Sequence, residues 1–150
     1  MTADGEPCPF CEIVRRGDAD AREVFRDENV VAFFPTDPAT LGHTLIIPTE
    51  HIPDIWSLDE ESAEYLSGAS LKVARAVREA LQPDGLNIIQ SNGEVATQSV
   101  FHLHVHVVPR WIGDGMRDFW PPQTNFTEAQ KDATKARVQR SLAEGRSRWR

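Results

Sequence analysis

The sequence predicts an α+β protein with a five-stranded antiparallel sheet, one long helix and a C-terminal helix. Five short runs are rich in the β-branched and aromatic residues favoured in strands, and turn-forming residues separate most of them. One long stretch instead places apolar residues at steps of three and four, which is the helical period. Because hairpins or a single helix connect these strands, we expect an antiparallel meander.

The strands are predicted where short apolar runs lie between turn residues and prolines, at residues 23–26, 30–34, 43–48, 86–90 and 101–108. Ser57 and Glu60 have the spacing of a capping box, so the long helix is expected to begin there. Its apolar stripe consists of Leu66, Ala69, Val73, Val77 and Ala80. Thr127 could likewise cap a last helix that runs to about Leu142.

Length and charge limit the class of protein. The 150 residues predict one domain, 1–150, with a core at about 8–110 and a helix-bearing extension at 111–150. The net charge of −7 argues against binding to nucleic acid or to an anionic membrane surface. Neither a signal peptide nor an apolar run of ~20 residues is visible, so a soluble, cytoplasmic protein is expected.

Three of the five histidines alternate with apolar residues in the stretch 101–108. In a strand, His102, His104 and His106 would share one face while the apolar residues enter the core from the other. A half-buried strand accounts for one outward histidine, but three in register favour a functional role. Imidazole can bind a metal, transfer a proton or attack an electrophile near neutral pH.

Cys8 and Cys11 stand two residues apart near the N-terminus. A thioredoxin-like redox site would need a preceding strand, which the sequence does not supply. Half of a structural zinc site would need two further ligands, and His51 and His102 are the candidates. Two unligated cysteines are the remaining alternative, and the zinc site is favoured over it.

The chemistry then falls to His104 and His106, with His43 and Ser99 as helpers. A neutral imidazole can attack the α-phosphorus of a nucleotide when its other nitrogen donates a hydrogen bond. Flanking donors would stabilise the charge on the phosphate oxygens. A polar loop suited to phosphate leads to the same strand and contains Asn92, Gly93, Gln98 and Ser99.

A catalytic metal held by the three histidines themselves is the least favoured hypothesis. Alternate residues of a strand lie about 6.6–7 Å apart. One ion at ~2.0–2.1 Å from each of three imidazole nitrogens would therefore be strained.

The order of residues from His102 to Val108 resembles the signature of the histidine triad (HIT) family of nucleotide hydrolases and transferases. Residues 42–48 with His51 look like the third-strand segment of that family, and residues 93–102 look like its phosphate-side loop. The Cys-Pro-Phe-Cys turn is similar to the opening of the zinc-containing bacterial members. The similarity extends from about Cys8 to Arg110.

The resemblance implies a fold in which two protomers join their five-stranded sheets into one of ten strands. It implies that His104 is the nucleophile, that His106 contacts the phosphate and the leaving group, and that His43 positions the catalytic imidazole. It also implies structural zinc on Cys8, Cys11, His51 and His102. The implied substrates are purine nucleotide conjugates, namely phosphoramidates, adenylates or dinucleoside polyphosphates.

One departure from the family pattern concerns the ribose. Many members carry an aspartate where this chain has Pro35, and the carboxylate of Asp37 lies two residues later. The nucleotide pocket is further expected to use the apolar residues Phe10, Ile13, Phe33 and Leu45. A dinucleoside polyphosphate phosphorylase and a non-catalytic, zinc-stabilised nucleotide-binding module are the alternative functions.

Overall fold

The computed structural model describes residues 7–17, 21–121 and 123–145. The helices are α1 (Pro9–Arg16), α2 (Glu60–Leu81) and α3 (Glu128–Gly145), and the strands are β1 (Arg22–Arg26), β2 (Val30–Phe34), β3 (Thr44–Pro48), β4 (Gly85–Gln90) and β5 (Val105–Arg110). The chain forms two compact units, residues 1–116 with the sheet and residues 117–150 with α3. The prediction of one domain over 1–150 stays a prediction.

The five strands form one antiparallel sheet in the order β1-β2-β3-β5-β4, which confirms the predicted fold class. The expected strict meander is wrong for the last two strands, because β5 lies between β3 and β4. The cause is α2, whose 22 residues span about 33 Å. After this helix the chain does not return to the position next to β3. That position is taken by β5, and β4 lies at the edge of the sheet.

Alternate residues of the strands enter two apolar layers on opposite faces of the sheet. On one face α2 packs with Leu66, Ala69, Val73 and Val77 against a layer formed by Val30, Ala32, Ile46, Val105 and Val107. The predicted stripe is therefore confirmed except for Ala80, which is exposed. On the other face α1 covers a second layer formed by Val31, Phe33, Leu45 and Ile47. Because His106 pairs with Leu45 in register, the histidines lie on the face of α1.

The predicted cap of α2 is wrong by two residues. Ser57 ends a short 3-10 turn, where the carboxylate of Asp54 accepts both its amide and its hydroxyl. Asp59 caps the helix instead and accepts from the backbone N–H of Ser62 at 2.7 Å. The side chain of Ser57 is thus hydrogen-bonded to Asp54 before the helix begins. Aspartate is an equally good N-cap residue.

The cap of α3 is confirmed. The hydroxyl of Thr127 accepts from the amide of Gln130 at 3.2 Å, and the side chain of Gln130 accepts from the amide of Thr127 at 2.8 Å. This reciprocal pair is a capping box. Within the described residues, no helix has the length and apolar character needed to cross a membrane. A cytoplasmic location stays a prediction.

The strand that carries the histidine row is shorter at its start than expected, and longer at its end. β5 begins at Val105, because the amide of Leu103 donates to Ile52 instead of to a neighbouring strand. His102 and His104 therefore precede the strand. Pro109 does not end it, since this residue still pairs with Leu86 of β4 and its carbonyl accepts from Thr40 at 2.7 Å.

Candidate functional site

Cys8, Cys11, His51 and His102 converge beneath α1, and one ligand atom of each lies within 4.8 Å of all the others. The sulfur-to-Nδ1 distances are 3.5 Å for Cys8–His102, 3.6 Å for Cys11–His102 and 3.3 Å for Cys11–His51. Zinc at 2.3 Å from sulfur and about 2.05 Å from nitrogen places two tetrahedral ligands about 3.6 Å apart. The four side chains therefore have the spacing of a zinc tetrahedron.

The protonation states also suit a metal. The Nε2–H of His102 donates to the carbonyl of Pro48 at 2.9 Å, which leaves Nδ1 unprotonated toward the cysteines. Burial lowers the pKa of His102 to about 4, so the ring is neutral, as a ligand must be. Burial, with Cys8 nearby, raises the pKa of Cys11, and metal ligation would displace that proton. Four protein ligands leave no open position, so the predicted structural zinc site is confirmed.

His104 is buried, and its hydrogen bond fixes which nitrogen can react. Nδ1 lies 2.8 Å from the carbonyl oxygen of His102. Only a protonated nitrogen donates to a carbonyl, so Nε2 keeps its lone pair. Burial lowers the pKa of His104, although the hydrogen bond to His102 works in the opposite direction. The ring is therefore neutral, with a fixed tautomer and an unprotonated Nε2.

His43 and His106 form a second chain of hydrogen bonds beside His104. The amide of Ala39 donates to Nδ1 of His43 at 3.0 Å, so the proton of His43 resides on Nε2. This proton is donated to Nδ1 of His106 at 2.9 Å, which leaves the N–H of His106 at Nε2. The rings of His104 and His106 lie 4.9 Å apart. His106 thus offers a donor near the lone pair of His104.

These two histidines are neutral as well. Burial, and then the nearby His104 and His43, lower the pKa of His106 to about 4. Burial and His104 also lower the pKa of His43. A neutral pair can hold one defined direction of hydrogen bonding, whereas protonation of His106 would break the bond that it accepts.

A cavity of about 370 Å³ opens between α1 and the sheet. Phe10, Ile13, Phe33 and Leu45, the apolar residues expected in the pocket, all line it. The ring of Phe10 also packs edge-on against His104, with the centroids 5.2 Å apart. The volume falls within the ~300–1,000 Å³ of typical ligand sites. A cavity with an apolar wall is therefore connected to the ring of His104 through Phe10.

In the loop before the histidines, three predicted phosphate contacts are occupied by other partners. Gln98 is 2% exposed and binds the amide of Gly93 and the carbonyls of Pro53 and Val100. Asn92 accepts from the amide of Ile55 at 2.8 Å and exchanges hydrogen bonds with Gln90. These bonds give the loop its shape. Ser99 is exposed and follows directly on the buried Gln98.

Gly93 is required at its position by the backbone. Its φ of +84° lies in the region that favours glycine, and its amide is the one that Gln98 accepts. After β2, Pro35 and Thr36 line the cavity, whereas Asp37 is exposed and lies outside its lining. The structure therefore does not bring Asp37 to the other predicted site residues.

Sequence reasoning missed several groups that position the histidines. The amide of Ala39 fixes His43, and the carbonyl of Pro48 fixes His102. Backbone groups leave no signal in residue identity, so no pattern could have found them. Glu12 and Arg16 at the rim of the cavity were also missed. Residues four apart on a helix are neighbours, so the pattern indicates a salt bridge, and the two side chains form one at 3.2 Å.

Fold and site together define a small α+β protein in which one row of histidines contributes to a zinc site and to a separate cluster of hydrogen-bonded imidazoles. The family model described as "HIT domain" matches residues 16–111. The chain therefore belongs to the HIT family, and the resemblance noted in the sequence is confirmed.

Three relatives illustrate the match. The protein hit of Bacillus subtilis is 44% identical over 116 residues, which cover 77% of this chain and 79% of the relative. A Zn-bound histidine triad family protein from Mycobacterium smegmatis is 36% identical with a TM-score of 0.68, covering 93% of this chain and 96% of that one. A hypothetical histidine triad nucleotide-binding protein from Sulfolobus tokodaii is 29% identical with a TM-score of 0.67, covering 92% of this chain and 93% of that one.

Proposed function

We propose that this protein is an enzyme that splits purine nucleotide conjugates at the α-phosphate through a nucleotidyl–His104 intermediate. The observation that carries the proposal is the 2.8 Å bond from Nδ1 of His104 to the carbonyl of His102, which leaves Nε2 unprotonated on a ring that packs against Phe10 of the cavity wall. A histidine triad relative described as nucleotide-binding supports the choice of ligand. Phosphoramidates, adenylates and dinucleoside polyphosphates share the α-phosphorus that would be attacked; the bond broken is P–N in the first class and P–O in the other two.

In the first step, Nε2 of His104 attacks the α-phosphorus and the bond to the leaving group breaks. The histidine becomes a cation with its Nδ1–H still held by the carbonyl of His102. The Nε2–H of His106 and the hydroxyl of Ser99 supply hydrogen bonds to the phosphate oxygens, and His43 keeps His106 oriented. Water or another acceptor then attacks phosphorus, the bond from Nε2 to phosphorus breaks with its electron pair returning to His104, and the proton of the acceptor passes to solvent.

Nucleotide recognition divides between the cavity and the loop. The base would lie among Phe10, Ile13, Phe33 and Leu45, which offer an apolar and aromatic wall. Gly93, Asn92 and Gln98 shape the loop that presents Ser99. Asp37 could contact the ribose only after a rearrangement of its exposed loop.

Product analysis separates the candidate activities. The protein is incubated with an adenosine phosphoramidate, an aminoacyl-adenylate and a dinucleoside tetraphosphate, with and without inorganic phosphate. Hydrolysis to the nucleoside monophosphate, with a trapped adduct on His104, supports the proposal. Release of a nucleoside diphosphate that requires phosphate would identify a phosphorylase. AMP binding without any adduct or turnover would identify a non-catalytic binding module.

The lowered histidine pKa values predict the pH dependence. An ordinary histidine with a pKa near 6.5 would lose half of its neutral form at that pH. Because burial lowers the pKa of His104, and that of His106 to about 4, we expect the acid limb of kcat/KM to lie below pH 6.5. An acid limb centred near pH 6.5 would contradict this expectation.

The same shifts fix the sign of the stability change. The unfolded chain binds protons at a higher pH than the folded one, so the free energy of unfolding falls as the pH drops from about 6.5 toward 4. Circular dichroism at each pH therefore has to show that the protein used for the kinetics is folded.

We also propose that two copies form a dimer across β4. Within the described sheet, β4 is an edge strand that pairs only with β5. Beside it lies an apolar groove of about 550 Å³ whose walls include Ile55, Leu71 and Ile88, each about half exposed. An exposed edge next to apolar surface is a template for a second copy, and pairing would extend the sheet to ten strands.

Replacing Ile88 with lysine should convert a dimer into monomers, since a charge in the centre of the interface would be buried without a partner. The matched control is Val24→Lys, because Val24 is 51% exposed on β1, the opposite edge strand. Size-exclusion chromatography with light scattering gives the mass of both variants. A wild-type protein of monomer mass would contradict the dimer, and an equal effect of Val24→Lys would contradict the choice of β4.

A further inference from the structure

Phe10 connects the zinc site to the nucleotide cavity. It lies between the two cysteine ligands on the first turn of α1, and its side chain lines the cavity. Its ring packs edge-on against His102 and His104, with the centroids 5.9 Å and 5.2 Å away. It also contacts Phe33 on the cavity wall at 5.5 Å. Any shift of the cysteine turn would therefore move part of that wall.

His102 forms a second connection. Its side chain faces the sulfur atoms of Cys8 and Cys11, and its backbone carbonyl holds Nδ1 of His104. The bond from His102 to Pro48 further restricts the ring. One residue thus contributes its imidazole to the metal site and its carbonyl to the nucleophile.

We propose that metal occupancy and nucleotide binding are energetically coupled through Phe10 and His102, so that metal ligation completes the nucleotide cavity. The inference rests on the proposed function, because it assigns the cavity to a nucleotide. Phe10 and His102 act here as positioning residues: the first holds the wall, and the second holds the acceptor for Nδ1 of His104. Coupling between two sites is reciprocal, so nucleotide would strengthen metal binding by the same factor.

The weak local support of α1 explains why ligation matters. The helix has only eight residues, and Cys8 at its N-cap makes no side-chain capping bond. A helix this short is not stable by itself in water. Arg26 of β1 holds the end of this helix by donating to the carbonyls of Ile13 and Val14, whereas its first turn depends on apolar packing and on ligation by Cys8 and Cys11. Without ligation, we expect Phe10 to leave its position more often while the α2 side of the sheet stays folded.

The test measures AMP affinity by calorimetry in the zinc-loaded protein and after removal of zinc with a chelator. We expect the dissociation constant of AMP to rise at least fivefold on removal, within the ~5–150-fold range of coupled sites. Competition with a chromophoric chelator measures zinc affinity with and without AMP and should give the same factor. Equal AMP affinity in both forms, within twofold, would overturn the coupling.

Two variants localise the coupling. Phe10→Ala removes the ring that bridges the sites, so the ratio of AMP dissociation constants should approach one. Leu45→Val is the matched control, because Leu45 lines the same cavity from β3 and not from the cysteine turn. This variant should weaken AMP binding in both forms and keep the ratio. A ratio that Phe10→Ala leaves unchanged would exclude this residue as the connection.

The controls separate this inference from simpler outcomes. Cobalt in place of zinc gives an absorption spectrum that reports the ligand set, which Phe10→Ala should leave unchanged. Loss of the sheet signal in circular dichroism on zinc removal would mean global unfolding and would overturn a local coupling. Failure of AMP to bind either form would contradict the proposed function itself, whereas equal binding contradicts only the coupling.

Discussion

Replacing His104 with alanine should abolish turnover, by on the order of a thousandfold or more, while AMP still binds. The variant loses the unprotonated Nε2 of His104, which is the nucleophile of the proposed mechanism. Phe10, Ile13 and Phe33, which line the cavity, are unchanged by the substitution. The effect should therefore fall on kcat and on formation of the adduct, and not on ligand affinity.

The matched control is His106→Ala. His106 supplies a hydrogen bond in the proposed mechanism but forms no covalent bond, so this variant should be slower and still accumulate adduct. Mass spectrometry of the quenched protein, followed by peptide mapping, locates the nucleotidyl group. Appreciable turnover by His104→Ala, or an adduct mapped to another residue, would exclude the assignment.

The sequence predicted those parts of the fold and site that depend on side-chain pattern. Steps of three and four along α2 placed Leu66, Ala69, Val73 and Val77 correctly on one buried face. The spacing of Cys8 and Cys11 correctly indicated half of a metal site. Both patterns follow from periodicity or from ligand chemistry, which residue identity encodes directly.

The parts that could not be predicted depend on competition among local bonds. Ser57 and Glu60 have the spacing of a capping box, but the hydroxyl of Ser57 donates to Asp54, and Asp59 caps the helix. The side-chain amide of Gln98 is suited to binding phosphate, but it is hydrogen-bonded to the backbone of Gly93, Pro53 and Val100. Such outcomes require knowledge of which backbone groups come close in space, and a single sequence does not contain it.

The division of the histidine row is the clearest example of this limit. Strand periodicity makes His102, His104 and His106 equivalent. In the structure the row divides, because β5 begins only at Val105 and His102 faces the cysteines beneath α1. The ring of His102 donates to the carbonyl of Pro48, and the ring of His104 donates to the carbonyl of His102. His106 instead accepts from His43, so the three rings differ in their hydrogen bonding.

Replacing both Cys8 and Cys11 with serine should remove the bound zinc and lower the thermal midpoint. Serine is a poor zinc ligand, and His51 with His102 alone cannot complete a tetrahedron. A ligand at a hundredfold excess over its Kd stabilises the folded state by about 2.7 kcal/mol. At about 2–4 °C per kcal/mol, the midpoint should fall by roughly 5–11 °C.

The informative comparison is the response to zinc, because Cys8 is 2% exposed and its replacement also disturbs packing. Wild-type protein treated with a chelator should melt at a lower temperature and recover when zinc is returned, whereas the variant should respond to neither treatment. Metal analysis should give one zinc per wild-type chain and none per variant chain. Zinc retained by the variant would contradict the assignment of Cys8 and Cys11 as its ligands. If the chelator leaves the thermal midpoint of the wild-type protein unchanged, zinc does not stabilise the fold, and the packing of Phe10 and its neighbours is sufficient to hold α1.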